Sequence, residues 1–262
     1  MSTAPAPDRA PVSVLLLVRD EAGDLEELLP ALAFAREVVV VWDPRGDPAA
    51  RAAAERLGAR VHERAFDGFG PQRTFALARC EEPWVLWLDA DERLDAVAVQ
   101  EILRAVRDPR GATQFRLARV TWFLGQRIRF CGWQGESIVR LFRRDHASFD
   151  AAAVHEQVHV SGPRARAIPG VIHHHSYRTL GDCVDKCVRY GAAGAEKAYA
   201  RGRRAGALDV LVRPPLRFLR QYVLELGVLD GGAGLVLCGF AAAQVFFKYA
   251  GLWRRTRNGG RP

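Results

Sequence analysis

Residues 84–93 read WVLWLDADER. Five apolar residues in a row, two of them tryptophan, are typical of a strand that is buried on both faces of a sheet. This strand runs directly into the carboxylates Asp89 and Asp91, which are one residue apart on the loop that leaves it. Oxygen ligands of this kind suit Mg²⁺ or Mn²⁺. The stretch therefore predicts a buried strand that ends in a divalent-metal site, with a simple capping turn as the alternative.

The eighty residues before this strand alternate between strand and helix patterns. Asp24 stands where a helix N-cap would, and Glu27 follows three residues later as in a capping box. The order βαβαβαβ predicts a parallel sheet with helices on its faces. The predicted strands are 12–18, 38–42, 60–62 and 84–88, and the predicted helices begin near 24 and cover 48–57 and 70–78.

Acidic residues follow three of the predicted strands. In a parallel sheet, ligands bind at the carboxyl ends of the strands, where loops and helix N-termini meet. One acidic strand end would mean little because turns favour aspartate, but three predict a ligand site. These residues are Asp20 and Glu21 after the first strand, Asp43 and Asp47 after the second, and Asp89 and Asp91 after the fourth.

Composition favours a globular protein without a disulfide framework. The chain has 262 residues, 49% of them hydrophobic, which suits one large α/β domain with an appendage. Residues 1–10 lack the basic start and apolar run of a secretory signal, so we expect a disordered lead and a cytoplasmic protein. Five cysteines without zinc-ligand spacing indicate small buried thiols, including Cys183 and Cys187 on one helix face.

The positive charge lies at the C-terminal end of the chain. Residues 178–262 hold 15 Lys or Arg against 6 Asp or Glu, whereas residues 1–177 hold 23 against 24. Arginines alternate with apolar residues in a predicted amphipathic helix over 216–226, which follows a segment ended by Pro214 and Pro215. This pattern favours an anionic membrane surface over nucleic acid, for which no recognised motif is present. A solvated, arginine-rich surface is the alternative.

The apolar stretch 233–253 has about the length of a membrane-spanning helix. Gln244 and Lys248 interrupt its second half, and Arg254 and Arg255 close it. We therefore expect a helix that lies in the interface or packs in the core, rather than one that crosses the membrane.

The motifs together resemble family 2 glycosyltransferases of the GT-A fold. Those that carry the superfamily resemblance are the runs 13–21, 39–43, 68–73 and 84–93. Later motifs are similar to the branch that includes lipopolysaccharide core β-glucosyltransferases, and the resemblance covers about residues 12–252. These later motifs are Phe123-Leu124-Gly125, Gly132-Trp133, the run 140–144, Val154-His155-Glu156, the run 174–177, and Lys186 with Tyr190.

The resemblance implies a role for individual residues. Asp43 matches the acid that binds the nucleoside base, usually uracil, and Asp20 and Glu21 lie beside that pocket. Asp89 and Asp91 match the metal and diphosphate motif. The donor contacts and the third metal ligand implied by the resemblance are Arg73, Arg140 and His174.

The resemblance also implies inversion, in which a base takes the proton of the acceptor hydroxyl. Glu136, four residues before Arg140, matches the position of the family's acid. Glu156 is the rival, and His155 would orient either carboxylate or bind the acceptor. The run after Asp43 departs from the family pattern at Pro44-Arg45-Gly46, where Arg45 would lie near the nucleotide and alter the choice of base.

These observations predict an α/β protein with a GT-A, Rossmann-like, mostly parallel sheet and a helical, amphipathic C-terminal region. We expect a disordered lead (1–10), a catalytic domain (11–177) with a nucleotide-sugar half (11–93) and an acceptor half (94–177), and a membrane-associating region (178–262). The expected activity is transfer of a sugar, by default glucose from UDP-glucose, with Mg²⁺ or Mn²⁺, to a lipid-linked or lipopolysaccharide-core acceptor at the cytoplasmic face of the inner membrane. A sugar nucleotidyltransferase and a non-catalytic membrane adaptor are the alternatives.

Overall fold

A computed structural model describes residues 9–149 and 158–259 of the chain. The chain forms two compact units, residues 1–119 with 137–174 and residues 120–136 with 175–262. The first unit is built on a sheet with helices on both faces, and the second is mainly helical.

The first unit begins with the predicted alternation of strands and helices. Its first four strands follow the predicted positions closely. The first, second and fourth contain apolar runs bounded by turn residues, whereas the third is short and mostly polar. The elements are β1 (Ala10–Val18), α1 (Ala22–Ala31), β2 (Ala35–Trp42), α2 (Pro48–Arg56), β3 (Arg60–Glu63), α3 (Phe69–Leu77) and β4 (Trp84–Trp87). After these come β5 (Glu92–Leu94), α4 (Ala96–Arg107), β6 (Gln114–Phe123), β8 (Ser137–Arg143), β9 (Ala147–Phe149), β10 (Val158–Val160) and β11 (Arg166–Tyr177).

The main sheet is mixed. Its strand order is β3-β2-β1-β4-β8-β6-β11-β5. The pairs β1 with β2, β1 with β4, and β2 with β3 are parallel, as predicted. From β8 onward the pairs β4–β8, β6–β8 and β5–β11 are antiparallel. The mostly parallel prediction therefore holds for the first four strands only, because later strands return without the helical crossovers that parallel pairing needs.

Two hydrophobic cores cover the two faces of this sheet. One packs the sheet against α1, α2 and α4 and includes Leu28, Val40 and Ile102. The other lies on the face of α3 and includes Trp87 and Phe142. Strands β1, β2 and β4 contribute to both cores, which explains why their sequences are apolar throughout rather than alternating.

The predicted start of the first helix is wrong. Helix α1 begins at Ala22, and Asp24 lies in its first turn instead of at the N-cap. The Asp24 and Glu27 carboxylates bind Arg93 at 3.2 and 3.0 Å instead. These ion pairs with Arg93 in β5, which is 69 residues from Asp24 in sequence, replace the predicted local capping box.

The second unit consists mainly of three helices. They are α5 (Leu180–Ala200), α6 (Ala207–Leu219) and α7 (Gly231–Arg257). A π-helical turn (Arg220–Leu224) extends α6, and a 3₁₀ turn (Gly227–Asp230) leads into α7. The end of β6 pairs with the short strand β7 (Gln126–Arg127). The Asp230 carboxylate accepts backbone N–H bonds from Arg129 and Phe130, both at 2.9 Å, and so ties this hairpin to α7.

The predicted break at Pro214 and Pro215 is wrong, because α6 runs through both prolines. Each proline removes one backbone N–H, so the carbonyls of Val210 and Leu211 lose their helical donors. Leu211 is exposed and Val210 is partly exposed, which lets water supply the missing hydrogen bonds. The helix therefore continues where the sequence pattern predicts its end.

Helices α5 and α7 approach closely at small residues. A Cβ atom added at Gly191 would lie 2.6 Å from Cβ of Phe247, so only glycine fits this crossing. In α7, by contrast, Gly239 is exposed and an added Cβ would meet no atom within 4 Å. Residues Gly227–Arg257 have the length and composition of a membrane-spanning helix, with a mean hydropathy of 1.6 over a window of 18 residues.

Candidate functional site

The carboxyl ends of β1 and β2 meet at one corner of the sheet. Val18 at the end of β1 pairs with Trp42 at the end of β2, and the backbone N–H of Asp47 donates to the Asp20 carboxylate at 2.8 Å. The Glu21 carboxylate closes the turn by accepting the N–H groups of Arg19 and Asp20. Asp20, Glu21 and Asp43 are therefore neighbours, although 22 residues of sequence separate Glu21 from Asp43.

Asp43 is buried and already bound by Arg45. The guanidinium of Arg45 donates from Nε and Nη2 to the two carboxylate oxygens at 3.0 and 2.8 Å. These bonds lower the pKa of Asp43 from 3.8 to about 2. Arg45 Nη2 also donates to the carbonyl of Phe66 at 2.8 Å, which fixes the guanidinium in place beside Asp43. A ligand that uses the Asp43 carboxylate would have to share it with Arg45.

A buried ion pair underlies the loop after β4. Arg140 Nη2 donates to Asp89 Oδ2 at 2.8 Å and to Glu92 Oε1 at 2.6 Å. Arg140 and Glu92 are buried, and the Glu92 carboxylate also accepts the backbone N–H of Asp89. Arg140 is the extra residue of a β-bulge, because β8 slips by one residue against β6 between Phe115 and Arg116. Bulges of this kind redirect side chains next to functional sites.

The three charges of this cluster shift one another's pKa values. Dense packing would raise the pKa of Asp89, but the charge of Arg140 outweighs it and holds this pKa below the usual value. Complete burial raises the pKa of Glu92 despite the same arginine. Burial would lower the pKa of Arg140, yet the two carboxylates raise it, so the guanidinium stays charged. Asp89 is thus held as a carboxylate in a fixed position.

Asp91 pairs with His174. Strand β5 pairs with β11 so that Glu92 lies opposite His174, which brings Asp91 Oδ2 within 3.4 Å of His174 Nε2. Both side chains are partly buried, with 26% and 17% exposed. Within residues 9–149 and 158–259, no three His, Cys, Asp or Glu side chains form a group that would hold a metal ion by themselves. The described residues therefore offer two adjacent candidate ligands, Asp91 and His174.

Two arginine side chains lie over the indole ring of Trp87 beside this cluster. The guanidinium carbons of Arg73 and Arg140 lie 4.2 and 4.3 Å from the centroid of the indole ring. Such contacts hold a cation over an aromatic face without neutralising it. The indole N–H of Trp87 is buried without a hydrogen-bond partner in the described part of the chain. Both arginines and Trp87 line a cavity of about 390 Å³ that opens next to Asp89.

The chain is similar along nearly its whole length to known glycosyltransferases. It is 25% identical to the lipopolysaccharide core biosynthesis glycosyltransferase LpsC of Rhizobium meliloti, over 92% of this chain and 94% of that protein. It is 20% identical to an uncharacterised glycosyltransferase of Rickettsia typhi, over 94% and 89% of the two chains. No family model matches the sequence.

A solved structure shares the fold. The mannosyltransferase PcManGT of Pyrobaculum calidifontis, solved in complex with GDP-Man and Mn²⁺, superposes with a TM-score of 0.51 at 20% identity, covering 97% of this chain and 90% of that one. The chain is a glycosyltransferase with the GT-A fold.

The glycosyltransferase brings most of the residues named from its sequence to one edge of the sheet. Asp89, Asp91, Arg140 and His174 form connected pairs around the loop after β4. Arg73 approaches the same loop through Trp87. The acids Asp20, Glu21 and Asp43 lie at the separate corner at β1 and β2.

The two carboxylates named as bases are placed differently. Glu136 belongs to the second unit and is partly buried, directly before Ser137 at the start of β8. His155 and Glu156 lie outside the described residues. Their roles stay predictions.

Three further residues lie at the candidate site and were not predicted from the sequence as site residues. Glu92 follows Asp91 directly, and only its burial under Arg140 distinguishes it from a surface acid. Arg116 and Arg119 lie on β6 and line the cavity beside Arg140. The alternation of arginine with apolar residues over 114–119 was the available signal, since it places arginine on a strand of the sheet.

Proposed function

We propose that this glycosyltransferase is a family 2 enzyme that transfers a sugar, by default glucose, from a nucleotide-sugar donor to a lipopolysaccharide-core or other lipid-linked saccharide. The observation that carries the proposal is that the acidic corner at β1 and β2 and the Asp89–Asp91 loop both lie at the carboxyl ends of neighbouring parallel strands. The full-length similarity to LpsC supports the choice of acceptor.

The donor would lie along this edge. Asp43 and Asp20 would bind the nucleoside, with UDP as the default and GDP, ADP and dTDP as alternatives. Arg73 would meet the diphosphate, since its guanidinium is held over Trp87 beside Asp89 and keeps its charge. Arg45 is the residue that would set the choice of base, because it already occupies the Asp43 carboxylate.

Asp91 and His174 are the residues that would hold Mg²⁺ or Mn²⁺. Neighbouring ligands of an octahedral ion at about 2.1 Å are separated by about 3 Å, and the two side chains are 3.4 Å apart. Carboxylate oxygen and imidazole nitrogen are both suitable donors. The bound ion would supply positive charge for the departing nucleoside diphosphate. Asp89, fixed by Arg140, would add its charge next to this site.

Transfer would proceed with inversion. The acceptor hydroxyl oxygen forms a bond to the anomeric carbon as the bond from that carbon to the diphosphate oxygen breaks. The hydroxyl proton passes to a carboxylate, for which Glu136 is the first choice and Glu156 the alternative. Arg73 stabilises the negative charge that develops on the diphosphate. Analysis of the product by NMR would reject this scheme if the anomeric configuration were retained.

The second unit supports attachment to a membrane surface. Apolar side chains at helical spacing on α6 face solvent instead of a core, with exposed fractions from 46% to 74%. We call this stripe the α6 apolar face, and it consists of Leu208, Leu211, Val212, Leu216 and Leu219. Arg213, Arg217 and Arg220 follow at their own helical spacing beside it. An apolar stripe next to a basic stripe is typical of helices that lie on an anionic bilayer. We therefore propose peripheral attachment to the cytoplasmic face of the inner membrane.

Nucleotide binding tests the proposed function directly. The purified full chain would be melted with UDP, GDP, ADP or dTDP, each with Mn²⁺ or with EDTA. A nucleotide at about 100 times its dissociation constant stabilises the native state by about 2.7 kcal/mol, which raises the melting temperature by about 5–11 °C. We expect one nucleotide to do so only with Mn²⁺, and Asp91→Asn to abolish the shift.

Asp108→Asn is the matched control, since Asp108 is an exposed acid that pairs with Arg110. It should melt and bind as the wild type does. A folded protein that no nucleotide stabilises, with or without metal, would overturn the proposed donor site.

A further inference from the structure

Among the described residues, the cavity beside Asp89 is lined by four arginines and a single acid. Arg73 comes from α3, Arg116 and Arg119 from β6, and Arg140 from β8. Its volume of about 390 Å³ lies within the range of small-molecule sites, about 300–1,000 Å³. The nucleoside diphosphate and the metal account for Arg73 and Asp89, but the proposed function assigns nothing to Arg116 or Arg119.

The arginines of the cavity differ in whether a carboxylate lies next to the guanidinium and balances its charge. Arg140 is compensated by Asp89 and Glu92, and Arg119 Nη1 also lies 3.7 Å from the Glu92 carboxylate. Arg116 donates from Nη2 to the backbone carbonyl of Ser137 at 2.7 Å, a neutral acceptor that leaves its charge in place. Among the described residues, its buried Nε–H has no partner. Arg116 is only partly buried, but a guanidinium whose buried Nε–H has no partner and whose charge no described carboxylate balances favours a charged ligand in the cavity.

Trp87 adds a second unsatisfied donor to the same cavity. Only 8% of its surface is exposed, and its indole N–H has no hydrogen-bond acceptor within the described ranges. Most buried donors in proteins have a partner. Arg116 and Trp87 thus each leave a buried donor unsatisfied beside the cavity, which favours a ligand rich in acceptor oxygens.

Strand order places Arg116 and Arg119 away from the donor. The proposed nucleoside corner lies at β2 and β1, and the proposed diphosphate position lies at the end of β4. Strand β6 is two positions beyond β4 on the side opposite β1, which is about 10 Å at a spacing of about 4.8 Å per strand. A sugar leaving a diphosphate at β4 would be transferred towards β8 and β6. The arginines of β6 thus lie on the acceptor side.

We propose that Arg116 and Arg119 form an anion-binding subsite that recognises a phosphate or carboxylate group carried by the acceptor saccharide. The fork of a guanidinium binds two oxygens of either group at once, which gives both affinity and orientation. The two arginines are specificity-determining residues for an acidic or phosphorylated acceptor. This subsite rests on the proposed function, because it takes the donor to lie along β1, β2 and β4.

Binding of small anionic sugars tests the subsite without requiring transfer. Isothermal titration of the full chain would compare glucuronate, glucose 6-phosphate and glucose, each with and without UDP and Mn²⁺. We expect at least one of the two anionic sugars to bind and glucose to bind at least tenfold more weakly. The stronger of glucuronate and glucose 6-phosphate identifies carboxylate or phosphate as the preferred group.

Variants of the β6 arginines assign this binding to the cavity. Arg116→Gln and Arg119→Gln should each weaken the anionic sugar by about 10- to 100-fold, the effect of losing a charged hydrogen bond. Arg116→Lys should restore part of the affinity because it keeps the charge but not the fork. Arg104→Gln, an exposed arginine of α4, is the matched control and should bind as the wild type does. A melting curve of each variant checks that it is folded.

The affinity for UDP separates the acceptor subsite from the donor site. UDP affinity should change by less than about twofold in Arg116→Gln. A large loss of UDP affinity with unchanged binding of anionic sugars would assign the arginines to the donor diphosphate and overturn the proposal. Equal binding of glucose and both anionic sugars would also overturn it. If no nucleotide binds at all, the proposed function fails, and sugar binding measured without UDP still decides whether the cavity selects anions.

Discussion

Exposed leucines on α6 should carry much of the attachment to a membrane. Leu211 and Leu216 are 68% and 57% exposed on the α6 apolar face. Complete burial of a leucine is worth about 2 kcal/mol, so transferring the exposed parts of both side chains contributes at most about 2.5 kcal/mol, or about 60-fold in partitioning. Interfacial helices are only partly immersed. We therefore expect the double variant Leu211→Gln, Leu216→Gln to bind vesicles about 10- to 60-fold more weakly.

Co-sedimentation with vesicles of phosphatidylethanolamine and phosphatidylglycerol measures this change. Val97→Gln is the control, because Val97 is 49% exposed on α4 in the first unit and lies outside the α6 apolar face. Raising the salt from about 0.15 M to 1 M shortens the Debye length from about 8 Å to 3 Å and screens the arginines. The remaining binding should then depend on the leucines alone.

Equal vesicle binding by the wild type and the folded double variant would refute this reasoning. Loss of binding in both the double variant and Val97→Gln would show a general effect of polarity instead of docking by α6. Binding that disappears completely in 1 M salt would assign the attachment to charge and leave the leucines without a role.

Three further predictions concern packing, thiol reactivity and ionisation. Gly191→Ala should lower the free energy of unfolding by about 1–2 kcal/mol through overpacking, whereas Gly239→Ala should raise it by about 0.5–1 kcal/mol; thermal melts that rank them the other way would contradict the close helix crossing. Burial raises the pKa of Cys80 to about 12, so a thiol reagent at about pH 8 should label it only after unfolding, and rapid labelling of the native chain would disprove its burial. The pKa of Asp43 is lowered from 3.8 to about 2, so the stability from its pair with Arg45 is present above about pH 4 and lost as the pH falls through about 2. Arg45→Gln should move the carboxyl titration of Asp43, followed by NMR, back towards 3.8, and an unchanged midpoint would exclude Arg45 as the cause.

Local patterns were sufficient where burial and turn chemistry agree. The strands β1, β2 and β4 were predicted closely because each contains a continuous apolar run, and α2 was predicted from the Ala-rich segment that begins at Pro48. Local patterns failed at α1 and α6. Asp24 has the sequence context of an N-cap, but in the folded chain its carboxylate binds Arg93, which is 69 residues away in sequence. The two prolines of α6 have the sequence context of a helix end, but the helix continues through them on an exposed surface.

The motifs of the site could be read from the sequence, but their connections could not. Asp89, Asp91 and His174 were named from their positions after strands and in motifs. Arg140 reaches Asp89 and Glu92 because of a bulge in β8, and no periodicity in the sequence indicates that slip of register. Arg116 is a candidate only because it lines the cavity and its buried Nε–H has no partner among the described residues.

The sequence by itself determined the alternation of strands and helices, the acidic strand ends and the basic, apolar C-terminal region. These features depend on neighbouring residues, so the order of residue types is enough to reveal them. Only the tertiary structure decided that Arg45 binds the Asp43 carboxylate and that the buried Arg140 binds both Asp89 and Glu92. It also decided that the α6 apolar face is exposed. Such relations depend on which distant segments come into contact and on the free-energy cost of removing each side chain from water. Neither can be inferred from a short stretch of sequence.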